Sequence, residues 1–269
     1  MVTWVLSVVS GGALFFVAFL LVLSPLQQSR TQDVLYTQFR SELDAATAPF
    51  GVDPIPPGHP VALLAIPSIG VRQVVVEGTS SYDLRDGPGH LRATTLPGQL
   101  GTSVIFGRST TYGGPFHDLT TLHQGDAMQV TTGQGVFTYQ VEDVRRDGDR
   151  QPPVLAADQS RLLLVTTESA ALGALSTVYI DAMLTSPAAV TPPRPAIIVA
   201  SSEDEMASDP SGLLPLALWL FGLLGVAVFA TWSLLRWGKA QTWVIALPLF
   251  VVALWGASDS AAMLLPNLM

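Results

Sequence analysis

Residues 61–77 read VALLAIPSIGVRQVVVE, two apolar and β-branched runs, Val61 to Ile66 and Gln73 to Glu77, with a Pro and a Gly between them. Short runs of this kind bounded by turn formers read as strands. The same rhythm returns downstream at Ser103 to Phe106, Ala127 to Thr131, Val136 to Val144, Arg161 to Thr166 and Val178 to Leu184. Turn residues punctuate it at Gly87-Pro88-Gly89, Pro97-Gly98 and Gly113-Gly114-Pro115. Short strands with few helical stretches predict a mainly β domain, a closed or nearly closed barrel; the pattern alone does not separate a barrel from a sandwich.

Outward from this domain, which the composition bounds at residues 58–186, the chain changes character. Pro49, Pro54, Pro56, Pro57 and Pro60 form a stiff spacer before it, the end of a linker over residues 25–57. Within that linker Val34, Leu35, Phe39, Leu43 and Ala46 predict a short amphipathic helix over Gln27 to Ala48. After the domain, residues 187–212 hold Pro187, Pro192, Pro193 and Pro195, an apolar patch from Ile197 to Ala200, and the acids Glu203, Asp204, Glu205 and Asp209.

Three apolar runs are long enough to cross a bilayer. Thr3 to Ser24 carries no charge and exceeds the apolar core of a cleaved signal peptide, which makes residues 1–24 a signal anchor. Leu213 to Leu235 is the second run, and Thr242 to Leu265, with the single acid Asp259, is the third. The short connection Arg236-Trp237-Gly238-Lys239 is basic and belongs on the cytoplasmic side. The expected topology follows: amino terminus inside, residues 25–212 outside, a hairpin of the last two spans. Asp259 reads as a snorkelling, solvated or helix-paired acid near the membrane edge. Gly222, Gly225, Ala217, Ala227 and Ala230 are small residues suited to close helix packing.

Composition removes whole function classes. Of 269 residues 49% are hydrophobic and 13% charged, and 13 basic against 21 acidic residues leave a net charge of −8, unsuited to a broad nucleic-acid surface. There is no Cys, so disulfides, thiolate metal sites and a thiol nucleophile are excluded. No cofactor motif, phosphate loop, HExxH zinc motif or GxSxG elbow occurs. Glu142, Asp143, Asp147 and Asp149 cluster around Gly148 as a solvated turn rather than a cation site, and no metal is expected.

Collinear landmarks then give a resemblance. Leu64-Ala65-Ile66-Pro67-Ser68-Ile69-Gly70-Val71, Val75-Val76-Glu77-Gly78-Thr79, Asp86-Gly87-Pro88-Gly89-His90, Leu96-Pro97-Gly98-Gln99-Leu100-Gly101 and Thr110-Thr111-Tyr112-Gly113-Gly114-Pro115-Phe116, with Leu119, Leu122 and Gly125-Asp126 after them, resemble the landmarks of actinobacterial class E and D sortases. The resemblance implies an eight-stranded β-barrel outside the membrane of a Gram-positive bacterium. It also implies transpeptidation: a Cys attacks the carbonyl of a sorting signal, a His protonates the leaving amine, and an Arg steadies the oxyanion.

The three catalytic positions carry other residues. The GHR segment of the family reads Gly107-Arg108-Ser109, which puts Arg108 at the His position. The TLxTC strand reads Leu163-Leu164-Val165-Thr166-Thr167, which puts Thr167 at the Cys position, and counting back along the last strand puts Thr177 at the Arg position, with Ser176 one residue away. A threonine hydroxyl needs an adjacent base to act as a nucleophile, and a guanidinium offers donors only.

The favoured expectation is therefore a catalytically inactive, membrane-anchored sortase-like protein that binds a peptide or protein partner of the cell envelope. Its groove candidates are Arg108, Thr111, Tyr112, His90, Thr167 and Glu168. The alternative is an altered acyltransferase in which Thr167 is activated by one of the loop histidines His90, His117 or His123. A third reading fills the groove with the chain's own linker, around Ile197 to Ala200.

Overall fold

The computed structural model describes all residues except Met1, 170–174, 194–196, 198 and 237. Trp237 of the hairpin connection, and part of the Ile197 to Ala200 patch, thus lie outside the described residues.

Eight strands close a barrel in the order β1-β2-β3-β4-β7-β8-β6-β5. The strands are β1 Pro60–Ile66, β2 Val71–Glu77, β3 Gly89–His90, β4 Gly101–Phe106, β5 Ala127–Thr132, β6 Gly135–Arg146, β7 Ser160–Ser169 and β8 Leu175–Leu184. Seven of them grow from the apolar runs of the sequence. The strand missed in the sequence is β3, two residues of a Gly-Pro-rich stretch that reads as a turn. It pairs parallel to β2 and antiparallel to β4, and so closes the wall between them.

Strand alternation sorts side chains between two faces. Leu64, Ile66, Val75, Ile105, Leu162, Leu164, Val178 and Ile180 fill the barrel core with Phe116 and Tyr139. Val104, Phe106 and Val165 point to the outer face, where a second apolar cluster forms with Leu84 and Leu268. That outer cluster lies under the candidate site.

Helix α1 (Val2–Ala18) runs through a π-helical turn, Phe19–Leu23, directly into α2 (Ser24–Asp44). The amphipathic helix expected after the first span is its continuation. It docks on β2 through Leu35 and Phe39, which pack on Val74 and Val76, while the predicted contact Val34 stays exposed. Gln32 fixes the register: its Oε1 accepts from Val74 N at 2.7 Å, and its Nε2 donates to Asp86 O at 2.8 Å.

Helices α3 (Leu213–Arg236) and α4 (Lys239–Ala262) form the antiparallel hairpin. Among the described residues, three helices are long and apolar enough to cross a membrane. Close packing falls at a different glycine from those expected. Gly222 and Gly225 face open space, whereas a Cβ on Gly256 would sit 2.1 Å from the Trp219 ring. The helix of the third apolar run is also shifted toward the amino terminus relative to the run, starting at Lys239. Helix α4 stops at Ala262, and Met263 to Met269 turn back onto the barrel.

Candidate functional site

The floor of the site is the outer face of the parallel pair β4 and β7, in which Phe106 lies opposite Val165. Beyond that pair, Gly107 N donates to Val165 O at 3.0 Å and Thr166 Oγ1 donates to Gly107 O at 3.0 Å. Position 107 must be Gly, because a Cβ there would stand 2.3 Å from the Phe116 ring. The chain then leaves the sheet as a loop, and Tyr112 takes a left-handed φ of 50°.

In the register of β7 and β8, Thr167 faces Thr177 and Glu168 faces Ser176. Thr177, not Ser176, is thus the direct neighbour of Thr167, and both threonines are buried. The Thr167 hydroxyl lies 2.9 Å from Ser109 Oγ and donates to the carbonyl oxygen of Leu268 at 2.9 Å. Among the described residues, no His, Asp or Glu side chain is among its hydrogen-bond partners. Donation to a carbonyl oxygen is the geometry of a positioned donor, whereas attack requires the hydroxyl lone pair to face the carbonyl carbon.

Arg108 is 1% exposed. Its Nη2 donates to Ser81 O at 2.8 Å, and its Nη1 donates to Thr111 Oγ1 at 3.0 Å and to Met269 O at 3.4 Å. It lies 5.0 Å from the Tyr112 ring centroid, and its Nε has no partner. No Asp or Glu side chain pairs with it among the described residues, and burial pulls its pKa down to about 10. A guanidinium with that pKa still holds its proton at neutral pH.

What occupies the groove is the segment after α4. Leu268 is fully buried against Leu84, Val104, Phe106 and Val165, a burial that contributes on the order of 1.5–3 kcal/mol. Its carbonyl oxygen accepts from Ser109 N at 3.0 Å and Ser109 Oγ at 3.3 Å as well as from Thr167. Thr111 Oγ1 donates to Met269 O at 2.5 Å. Asn267 Nδ2 donates to Thr79 O at 2.8 Å and Asp204 O at 2.9 Å. Met269 N closes a turn on Pro266 O at 3.1 Å.

The acidic linker holds this segment from the other side. Glu203 is buried and ion-paired with Arg92, and Thr79 Oγ1 donates to Glu203 O at 2.7 Å. Ala207 O accepts from Asn267 N at 2.8 Å. The reading in which the chain fills its own groove thus takes a different form here. The filling segment follows α4, and linker residues 203–207 act as its clamp.

Other sequence candidates lie elsewhere. His90 is fully buried, with Nδ1 2.8 Å from Glu77 Oε2 and Nε2 2.9 Å from Thr95 O, so both nitrogens are engaged inside the wall. Glu168 pairs with Arg146 at 2.9 Å on the outside. His117 Nδ1 meets Ser109 O at 2.9 Å, one residue's backbone away from the groove. Tyr112 turns toward the spanning-length helices: its N donates to Ser24 Oγ at 3.0 Å, and its hydroxyl donates to Asp259 Oδ1 at 3.2 Å. Asp259 also meets Arg85 at 3.4 Å, so this acid is partnered by the barrel rather than by another helix. Among the described residues no group of three His, Asp or Glu side chains is arranged to hold a metal.

Residues missed in the sequence include Ser109, Thr79, Asn267 and Leu268. The first signal was the Gly107-Arg108-Ser109 segment itself; for the last two it was the polar Asn267 directly after an apolar span. Asp83, two residues from Ser81, is also a buried acid of this region. Burial pushes its pKa up to about 6 although Ser80 donates to it at 2.7 Å through its hydroxyl.

Known proteins resemble this chain over the same region. The Sortase domain family model matches residues 64–176. Sortase D of Bacillus subtilis (strain 168) is 29% identical over 111 residues, 41% of this chain and 54% of that protein. The match thus spans about half the length of this curated relative. Among solved structures, a sortase D5 transpeptidase of Clostridium perfringens is 24% identical and covers 59% of this chain and 98% of its own, with a TM-score of 0.47. Sortase E of Streptomyces avermitilis is 29% identical over 49% of this chain and 91% of its own, with a TM-score of 0.43. A single-site mutant of the same sortase E is 30% identical with the same coverage and a TM-score of 0.41.

Proposed function

We propose that this chain, whose residues 64–176 match the Sortase domain family model, is a sortase-like membrane protein that no longer transfers peptides and uses its barrel to bind a partner in the cell envelope. The observation that carries this reading is the partner set of Thr167. At the position where the family places its thiol, a hydroxyl donates to a main-chain carbonyl, with no base beside it. A protonated Arg108 cannot take the proton of a nucleophile. Thr177 brings no positive charge to a developing oxyanion.

The reading also takes the protein as a membrane-anchored chain with its barrel on the outer side. Support comes from three spanning-length helices and from the basic residues Arg236 and Lys239 at the hairpin connection. The absence of Cys makes the topology directly testable. A Gly148→Cys variant should react with a membrane-impermeant maleimide in intact cells, and a Gly238→Cys variant should not; the reverse pattern would invert the proposed orientation.

Catalysis is tested by intact-mass spectrometry of the full chain in detergent with sorting-signal peptides and an amine acceptor. The native chain is expected to keep its mass. An acyl adduct mapped to Thr167 would overturn the reading. The variant Arg108→His, Thr167→Cys, Thr177→Arg run in parallel reports whether the scaffold still supports thiol chemistry.

A further inference from the structure

The contacts of residues 266–269 are those of a ligand in a receptor. The Leu268 side chain fills an apolar socket, and its carbonyl oxygen takes three donors from Ser109 and Thr167. The next carbonyl is held by Thr111 and Arg108. Arg108 is a buried cation whose hydrogen-bond acceptors are Ser81 O, Thr111 Oγ1 and Met269 O, so part of its satisfaction comes from the seated segment itself.

Asn267 gives the seat its selectivity. Its Nδ2 donates to two main-chain carbonyls, Thr79 O and Asp204 O, while its Oδ1 is buried without a partner. An Asp side chain has the same shape and only acceptor oxygens. It would set an oxygen against those two carbonyls in a buried site, where unpaired polar atoms and charge are strongly disfavoured.

We propose that the groove is a receptor for a short Pro-Asn-apolar turn, that Pro266–Met269 is its resident tethered ligand, and that the equivalent segment of a partner protein displaces it. This deepens the reading of the barrel as a non-catalytic binding module and rests on it, because a transferring enzyme would cleave what it bound. Tethering by α4 gives the resident segment a high effective concentration. A free segment therefore competes poorly until the resident one is weakened. The Asp259 contacts to Arg85 and Tyr112 hold the end of α4 over the groove and set that tether.

The test uses the full chain in detergent and a fluorescent peptide with the sequence of residues 263–269, MLLPNLM. Leu268→Asp in the chain unseats the resident segment, and anisotropy then reads the peptide. The variant is expected to bind at least ~10-fold more tightly than the native chain, and to bind a peptide with Asp in place of Asn at least ~10-fold more weakly. Adding Thr111→Val to the variant should weaken peptide binding again. A second variant ending at Leu264 covers the case in which Leu268→Asp does not fold. If either variant melts cooperatively only with the Asn peptide present, the proposal is supported.

No binding by either variant, or equal binding of the Asn and Asp peptides, overturns it. A native dimer that Asn267→Asp dissociates also overturns it, because the occupant would then be a second copy of this chain. Intact mass is read in the same samples. An unchanged mass without peptide binding refutes this proposal alone, whereas an added acyl mass refutes the non-catalytic reading beneath it.

Discussion

The Thr167 hydroxyl donates to the Leu268 carbonyl oxygen across 2.9 Å, joining a barrel strand to the segment that follows the last helix. The same oxygen also accepts from Ser109 N and Ser109 Oγ. Thr167→Val should therefore remove one donor of three and keep the acceptor satisfied. The expected loss is modest, about 1 kcal/mol, read as a small drop in the melting temperature in detergent. A loss several times larger would mean that Thr167 supports the fold by some route other than this hydrogen bond.

Asn267→Ala should act more strongly and more locally. It leaves Thr79 O without its donor, while Asp204 O keeps Ala207 N at 3.2 Å, at about 1–3 kcal/mol for a buried group left unpaired. The hydrogen-bond partners of Asn267, namely Thr79, Asp204 and Ala207, lie outside the barrel strands, so global unfolding should change less than local opening. Hydrogen exchange at Ser109 and Thr111, whose amides donate to Leu268 O and Met269 O, is the measurement. Their protection should fall while that of core amides such as Leu164 is kept. Uniform loss of protection would place the segment in the cooperative folding unit of the barrel.

How far the fold was legible in the sequence depends on the range of the interaction that fixes each part. Apolar and β-branched runs bounded by turn residues mark seven strands, because each run contributes side chains to the same core. Strand β3 carries no such pattern: two residues, Gly89 and His90, are held in place by their neighbours in the wall. Thr167 and Arg108 were legible by position, because local motifs frame them. Their partners were not. Leu268 lies 101 residues from Thr167 and 159 from Ser109. Nothing in the spacing of an apolar span tells where its last residues fold back. The reading of Thr242 to Leu265 as one span hid the turn at Ala262, since Leu264 and Leu265 suit a bilayer and a groove equally well. His90 misled for a related reason. It ends a family landmark, but its ring is a buried link between Glu77 and Thr95.

Asp83 gives the stability of the site region a pH dependence of definite sign. Its folded pKa is about 6 against an ordinary 3.8, with burial as the largest cause. A carboxyl raised on folding binds more protons folded than unfolded over that interval, so its contribution falls as pH rises from about 4 to about 6 and is level above. The native chain should thus lose stability across this window relative to Asp83→Asn, which keeps an acceptor for Ser80 without the charge. Thermal melting of both proteins at about pH 4 and about pH 7 tests it. A difference between them that does not change with pH would rule out Asp83 as the source.

The remaining prediction concerns how the α3–α4 hairpin is held to the barrel. Asp259 accepts from the Tyr112 hydroxyl at 3.2 Å and lies 3.4 Å from Arg85 Nη1, with both ionic side chains about one-fifth exposed. Arg85 is also stacked 3.9 Å from the Tyr82 ring centroid and lies 3.7 Å from Asp86. Replacing Asp259 by Asn keeps an acceptor for Tyr112 and removes the ion pair, so it isolates the charge. A hydrogen-bonded pair of this burial is worth about 1–2 kcal/mol, and Arg85→Ala should lose a similar amount. Because both changes remove the same contact, the double variant should lose less than the sum of the two singles. The segment after α4 should loosen with it, seen as faster exchange at the Ser109 and Thr111 amides in Asp259→Asn. Additive losses, with those amides unchanged, would separate the ion pair from the groove and leave the apolar cluster of Phe19, Tyr112 and Ala262 as one of the contacts that anchor the hairpin.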